Sequence, residues 1–123
     1  MARMYFDKFG QETAMVRIGS CFEKPGNHRM MATWFSPADF QCLIEWAFAV
    51  RRLGCHIVWG VSANDECWWD NAEVAYQGWR PQDNSEIFRP EIEAMPRPAA
   101  AGPTPLWQGG AFTADPLHTE DKT

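Results

Sequence analysis

The segment Ser36-Pro37-Ala38-Asp39 and the apolar run that follows its helix constrain this chain more than any other feature. Ser stands where an N-cap hydroxyl receives an amide, Pro occupies the first helical position, and an acid the third. Phe40, Leu43, Ile44, Ala47 and Phe48 recur at helical spacing, with Gln41, Glu45 and Arg52 on the opposite face. The pattern predicts a helix from Pro37 to about Leu53, ended by Gly54. Cys55 to Val61 follows at once. Its run Cys-His-Ile-Val-Trp-Gly-Val lacks polar alternation, as does a parallel strand covered on both faces. Upstream, Thr13 to Ile18 predicts another strand, ended by Gly19-Ser20. Strand, helix, strand is a right-handed βαβ unit, so the expected fold class is α/β.

The flanking segments are more irregular. Met1, Met4, Tyr5 and Lys8 fall on one helical stripe before Gly10, so residues 1 to 9 predict the end of a helix. Lys24-Pro25-Gly26-Asn27 is a turn signal. Met30 to Phe35 reads as a short extended piece. Residues 62 to 78 predict a loop and a short helix, with Asp70 or Asn71 as N-cap and Gly78 beyond its end. Ser85 to Met95 is partly helical, interrupted at Pro90. Pro96, Pro98, Pro103 and Pro105, with Gly102 and three alanines between, exclude helix or central strand and predict an extended connector to the tail. Two strands and one long helix leave a sheet face without cover. The chain therefore reads as the last part of a larger α/β domain, with an exposed apolar face.

Charge and cysteine usage narrow the function classes. Eleven Lys+Arg against sixteen Asp+Glu give a net charge of −5, which argues against nucleic acid and against an anionic membrane face. No apolar run approaches the roughly 20 residues of a membrane helix. The first residues interleave acid and base, unlike a signal peptide, so a cytoplasmic setting is expected. Cys21, Cys42, Cys55 and Cys67 form no close pair, and His28, His56 and His118 stand far apart. The spacing argues against a zinc site, and no metal is expected. The cysteines are expected to be free thiols, mostly packed as small apolar groups.

An ordered series of short motifs then points to a family. Arg17-Ile18-Gly19-Ser20-Cys21 is followed by Arg29-Met30-Met31 and Thr33-Trp34-Phe35-Ser36. Val58-Trp59-Gly60-Val61-Ser62-Ala63-Asn64, Trp68-Trp69-Asp70-Asn71 and the run from Gly78 to Glu86 complete the series. From about residue 1 to about 116 the string resembles the C-terminal part of the uronate dehydrogenase family. These are extended short-chain dehydrogenases of the NAD-dependent epimerase/dehydratase superfamily.

The resemblance implies that residues 1–95 are the C-terminal part of a Rossmann-like parallel-sheet domain, and that 96–123 form a Pro-rich connector and tail. It implies oxidation of a hexuronate, such as glucuronate or galacturonate, at C1 to the aldarolactone, with NADH formed. It also assigns residues: Ser20 to hydrogen-bond the sugar, Arg29 to pair with its carboxylate, Phe112 to line the site, and the main chain at Ile18 to lie against the nicotinamide. A guanidinium grips a carboxylate bidentately, and a strand's C-terminal end is where open α/β sheets bind ligands. The bland alternatives are a turn hydroxyl for Ser20, a solvated charge for Arg29 and packing for Trp68, Trp69 and Trp79.

Neither a Gly-rich dinucleotide turn nor a Tyr-x-x-x-Lys pair occurs: Tyr5 is followed four on by Phe9, and Tyr76 by Arg80. No catalytic residue is therefore assigned, and the dinucleotide-binding half is expected to lie outside this sequence. The 123 residues by themselves are expected neither to oxidise uronates nor to bind NAD well. The expected partner is a small uronic acid, and a homo-oligomer remains open. Two other readings remain. One is the C-terminal part of a nucleotide-sugar epimerase or dehydratase, against which the short Ser20-to-Arg29 loop argues. The other is a non-catalytic remnant or small binding module.

Overall fold

The computed structural model describes residues 1–97 and 108–115. Helix α1 (Ala2–Phe9) ends at Gly10, whose φ of 69° places it in the left-handed region. Strand β1 (Thr13–Ile18) and a two-residue strand β2 (Ser20–Cys21) flank Gly19. Helix α2 (Met30–Thr33) runs directly into β3 (Trp34–Phe35). The long helix α3 (Pro37–Ala49), strand β4 (Cys55–Gly60) and helix α4 (Ala72–Ala75) follow. A 3-10 turn at Ser85–Phe88 continues into α5 (Arg89–Glu93), and a second one spans Gly110–Ala114.

The βαβ expectation holds. β1 pairs parallel with β4 from Thr13 opposite Cys55 to Ile18 opposite Gly60, with α3 in the crossover. At Gly19 the chain steps from one partner to another: β2 pairs parallel with β3, Ser20 opposite Trp34. A Cβ on Gly19 would lie 2.3 Å from the Thr33 carbonyl oxygen and 3.1 Å from the Trp69 ring. Only glycine lets the strand pass between them. Beyond β4, the Ser62 amide donates to the Trp34 carbonyl at 2.9 Å, so β3 sits between β2 and this extension.

The core gathers Phe35, Leu43, Val58, Val74 and Trp79, with Ala14, Cys21, Phe40 and Trp46 packed around it. α3 starts as expected: the Asp39 amide donates to Ser36 Oγ at 2.9 Å. Its buried face differs from the expected one. Asp39 and Leu43 are buried, whereas Ile44 and Phe48 face outward, Phe48 at 89% exposure. The periodicity admitted either stripe, because this helix is apolar almost all round. It also stops earlier than expected, at Ala49. Val50 is extended, and the Arg52 and Leu53 carbonyls accept from the Gln77 side chain. Met30 to Phe35 is helical before it is extended, since Asn27 caps the Met30 amide through Oδ1. All four cysteines are free; Cys42 is exposed and the others are half-buried, with Cys21 packed against the core. Much of 96–123 lies outside the described residues.

Candidate functional site

Where β1 ends, the step at Gly19 opens a cavity of about 1050 Å3, near the upper end of small-molecule sites at roughly 300–1,000 Å3. Ile18, Gly19 and Ser20 form one wall. Asn27, His28, Arg29 and Thr33 form a second, and Trp69 also lines the space. Met95 to Arg97 and Gln108, Gly109, Ala111 and Phe112 complete the lining. All four residues singled out from the sequence, Ile18, Ser20, Arg29 and Phe112, therefore face one space. Two of them stand at its edge: Ile18 is half-exposed, and Phe112 is 84% exposed.

Ser20 is buried, and its hydroxyl lies 2.9 Å from that of Thr33. One hydroxyl donates to the other, which leaves a proton and lone pairs of the couple for a polar ligand group. Register explains the meeting: Ser20 sits opposite Trp34, next to Thr33.

Arg29 is half-buried at the start of α2. Its Nη2 donates to the Gln108 carbonyl, and its Cζ lies 5.2 Å from the centre of the Trp68 ring. A Cβ on Gly110 would come within 3.0 Å of Cζ. Nε is buried without a hydrogen-bond partner. Among the described residues no carboxylate pairs with Arg29. Arg89 shows the opposite arrangement, bound to Glu66 at 2.6 Å and to Glu86. The hydrogen bond from Arg89 chiefly holds the Glu86 carboxyl below its usual range, against the opposing effect of burial.

The lining carries a charge of one sign. Arg29 and Arg97 supply it, while none of the described lining residues is acidic, in a chain of net charge −5. Sequence reasoning passed over Thr33, His28 and Arg97. A hydroxyl beside the Trp34-Phe35 pair and an imidazole next to Arg29 were the available signals, but neither shows a direction without the fold. Trp79 is buried in the core, as the packing reading expects, whereas Trp69 lines the cavity and Trp68 lies over Arg29. Among the described residues no cluster of His, Cys, Asp and Glu is arranged to hold a metal ion, and no helix is long and apolar enough to cross a membrane.

No family model matches the chain. It is 54% identical over 121 residues to uronate dehydrogenase of Agrobacterium fabrum, covering 98% of this chain and 46% of that protein. In structure it is similar to a mutant uronate dehydrogenase from Agrobacterium tumefaciens complexed with NAD, with a TM-score of 0.90 and 53% identity over 97% of this chain and 45% of that one. A glucuronic acid dehydrogenase from Chromohalobacter salexigens superposes with a TM-score of 0.89 at 50% identity, over 94% and 44%. The chain spans a little under half the length of the curated relatives it matches. The partial coverage agrees with a match to one portion of such a protein. By sequence and by fold, this chain is similar to uronate dehydrogenases over a little less than half of their length.

Proposed function

We propose that the cavity receives a hexuronate, and that the chain supplies the substrate side of an NAD-dependent uronate dehydrogenase reaction in the cytoplasm. The observation that carries this reading is that the charged residues of the described lining are the arginines Arg29 and Arg97, and that the Arg29 guanidinium has no carboxylate partner among the described residues. In a net acidic protein, a half-buried cation without a counter-ion selects an anionic ligand. Arg29 pairs with the C6 carboxylate. The Ser20–Thr33 couple donates to a ring hydroxyl, and Phe112 covers the rim. Ile18, at the open end of β1, faces the cavity where a nicotinamide would lie, so the residues here fit that end of NAD. NAD would supply the hydride acceptor for oxidation at C1; the residues of this chain bind and orient the sugar.

The test is equilibrium dialysis of glucuronate against the chain, with glucuronamide as the neutral isostere. Arg29→Ala should weaken glucuronate binding roughly 10- to 150-fold, the equivalent of about 1.5–3 kcal/mol for a charged hydrogen-bond pair. Arg29→Lys should restore part of it, because an ammonium keeps the charge and loses the fork. Glucuronamide should bind Arg29→Ala nearly as it binds the unaltered chain. Equal losses for both sugars would show that Arg29 supports the loop and not the carboxylate.

A further inference from the structure

We infer that Trp68 is a positioning residue that sets the Arg29 guanidinium for an acidic sugar, an inference that rests on the carboxylate reading of Arg29. A carboxylate is one way to hold an arginine side chain, as Arg89 is held by Glu66 and Glu86. A carboxylate on Arg29 would neutralise the charge and compete with the substrate for the same donors. The structure fixes the guanidinium another way. The Trp68 ring takes its Cζ at 5.2 Å, and the Gln108 carbonyl accepts from Nη2. An aromatic face and a neutral carbonyl restrain the guanidinium and leave its charge for the ligand.

Trp68 is itself anchored. Its ring meets Trp69 edge-to-face, centroids 6.0 Å apart, and Trp69 stacks on Trp59 at 4.8 Å with the planes 1° from parallel. Trp59 belongs to β4, and its main-chain N–H and C=O are both bonded by the Asn71 side-chain amide, at 2.8 and 2.9 Å. Three indoles thus connect a strand to the guanidinium. Trp68 is not among the residues lining the cavity and is 42% exposed, so its contact with Arg29 exceeds what core packing requires.

The experiment is dialysis binding of glucuronate and glucuronamide to the full chain carrying Trp68→Leu, Trp68→Phe or Trp68→Gln, with Arg29→Ala in parallel. Trp68→Leu should weaken glucuronate binding about fivefold, the value of roughly one cation–π contact. Trp68→Gln should do the same and provides the reading if the Leu variant folds poorly. Trp68→Phe, which keeps an aromatic face, should stay within about twofold of the unaltered chain. Glucuronamide binding should change little in all three. If Arg29→Ala loses glucuronate while Trp68→Leu and Trp68→Gln bind it normally, the inference is overturned and the carboxylate reading stands. Equal losses of both sugars in the Trp68 variants overturn it too, because that marks a structural role. If Arg29→Ala itself has no effect on glucuronate, both fall.

Discussion

Asp39 joins three segments of the chain. Its side chain is 1% exposed and accepts from the Ser62 hydroxyl at 2.5 Å and from the Gln82 and Asp83 amides at 2.7 and 3.1 Å. The same Ser62 hydroxyl accepts from the Ser36 amide at 3.0 Å, so the start of α3 is bound to the segment after β4. From the sequence, Asp39 is the acid at the third position of a helix; its spacing reveals the start of α3. That its carboxylate turns to residues 62, 82 and 83 follows from the folding of those loops onto the helix. Asp39→Ala should leave a hydroxyl and two amides without acceptors, at about 1–3 kcal/mol for each buried orphan, reduced where water enters. A urea titration should show a total loss of about 3 kcal/mol or more. A loss below about 1 kcal/mol would mean that the loops rearrange to satisfy themselves. Arg29 and Ser20 were legible only through the motif series, because a polar residue in a loop carries no mark of what faces it.

The element that builds the cavity is the β1–Gly19–β2 step. A strand that kept its pairing past Ile18 would run on beside β4, and Ser20 would lose its place opposite Trp34. Gly19→Ala puts a methyl 2.3 Å from a backbone oxygen that has no flexible side chain to yield. The substitution should cost about 1–3 kcal/mol, as overpacking does, and should weaken glucuronate binding by displacing the Ser20–Thr33 couple. Gly10→Ala is the control: its φ is positive but the space around it is open. It should cost about 1–2 kcal/mol, the penalty of a left-handed alanine, and leave glucuronate binding unchanged. Denaturation and dialysis on the two variants separate the effects. If Gly19→Ala binds the sugar normally, the step does not govern the site. The strands themselves were legible because an apolar run without alternation is a local property. The step was not: Gly19 reads from sequence as a strand end, whereas it is a change of partner.

For the whole molecule, the exposed apolar side chains decide behaviour in solution. Met1 and, on α1, Met4, Tyr5 and Phe9 are exposed, and so are Val16, Ile18 and Ile57 on the strands and Ile44 and Phe48 on α3. α1 touches β1 and β4 without burying any residue of its own. On the strands themselves Val16, Ile18 and Ile57 are partly uncovered, at 37%, 50% and 37% exposure. Soluble monomers rarely expose contiguous patches beyond a few hundred Å2. The isolated 123-residue chain should therefore self-associate and bind an apolar dye, as sedimentation velocity and dye fluorescence would show. A single monomeric species that binds no dye would contradict this.

Sequence alone determined the local elements: the capped start of α3, the parallel strands on either side of it, the αL glycine after α1, and the βαβ order that these require. Those follow from side-chain spacing and backbone preference, which act over a few residues. Tertiary structure alone decided which face of α3 is buried, that Asp39 turns away from its own helix, and that Arg29 lies under Trp68 with no carboxylate partner among the described residues. Each of these depends on a partner distant in the chain. Hydrogen-bond and cation–π contacts form wherever folding brings matching groups within a few ångströms, and spacing along the sequence does not encode that distance.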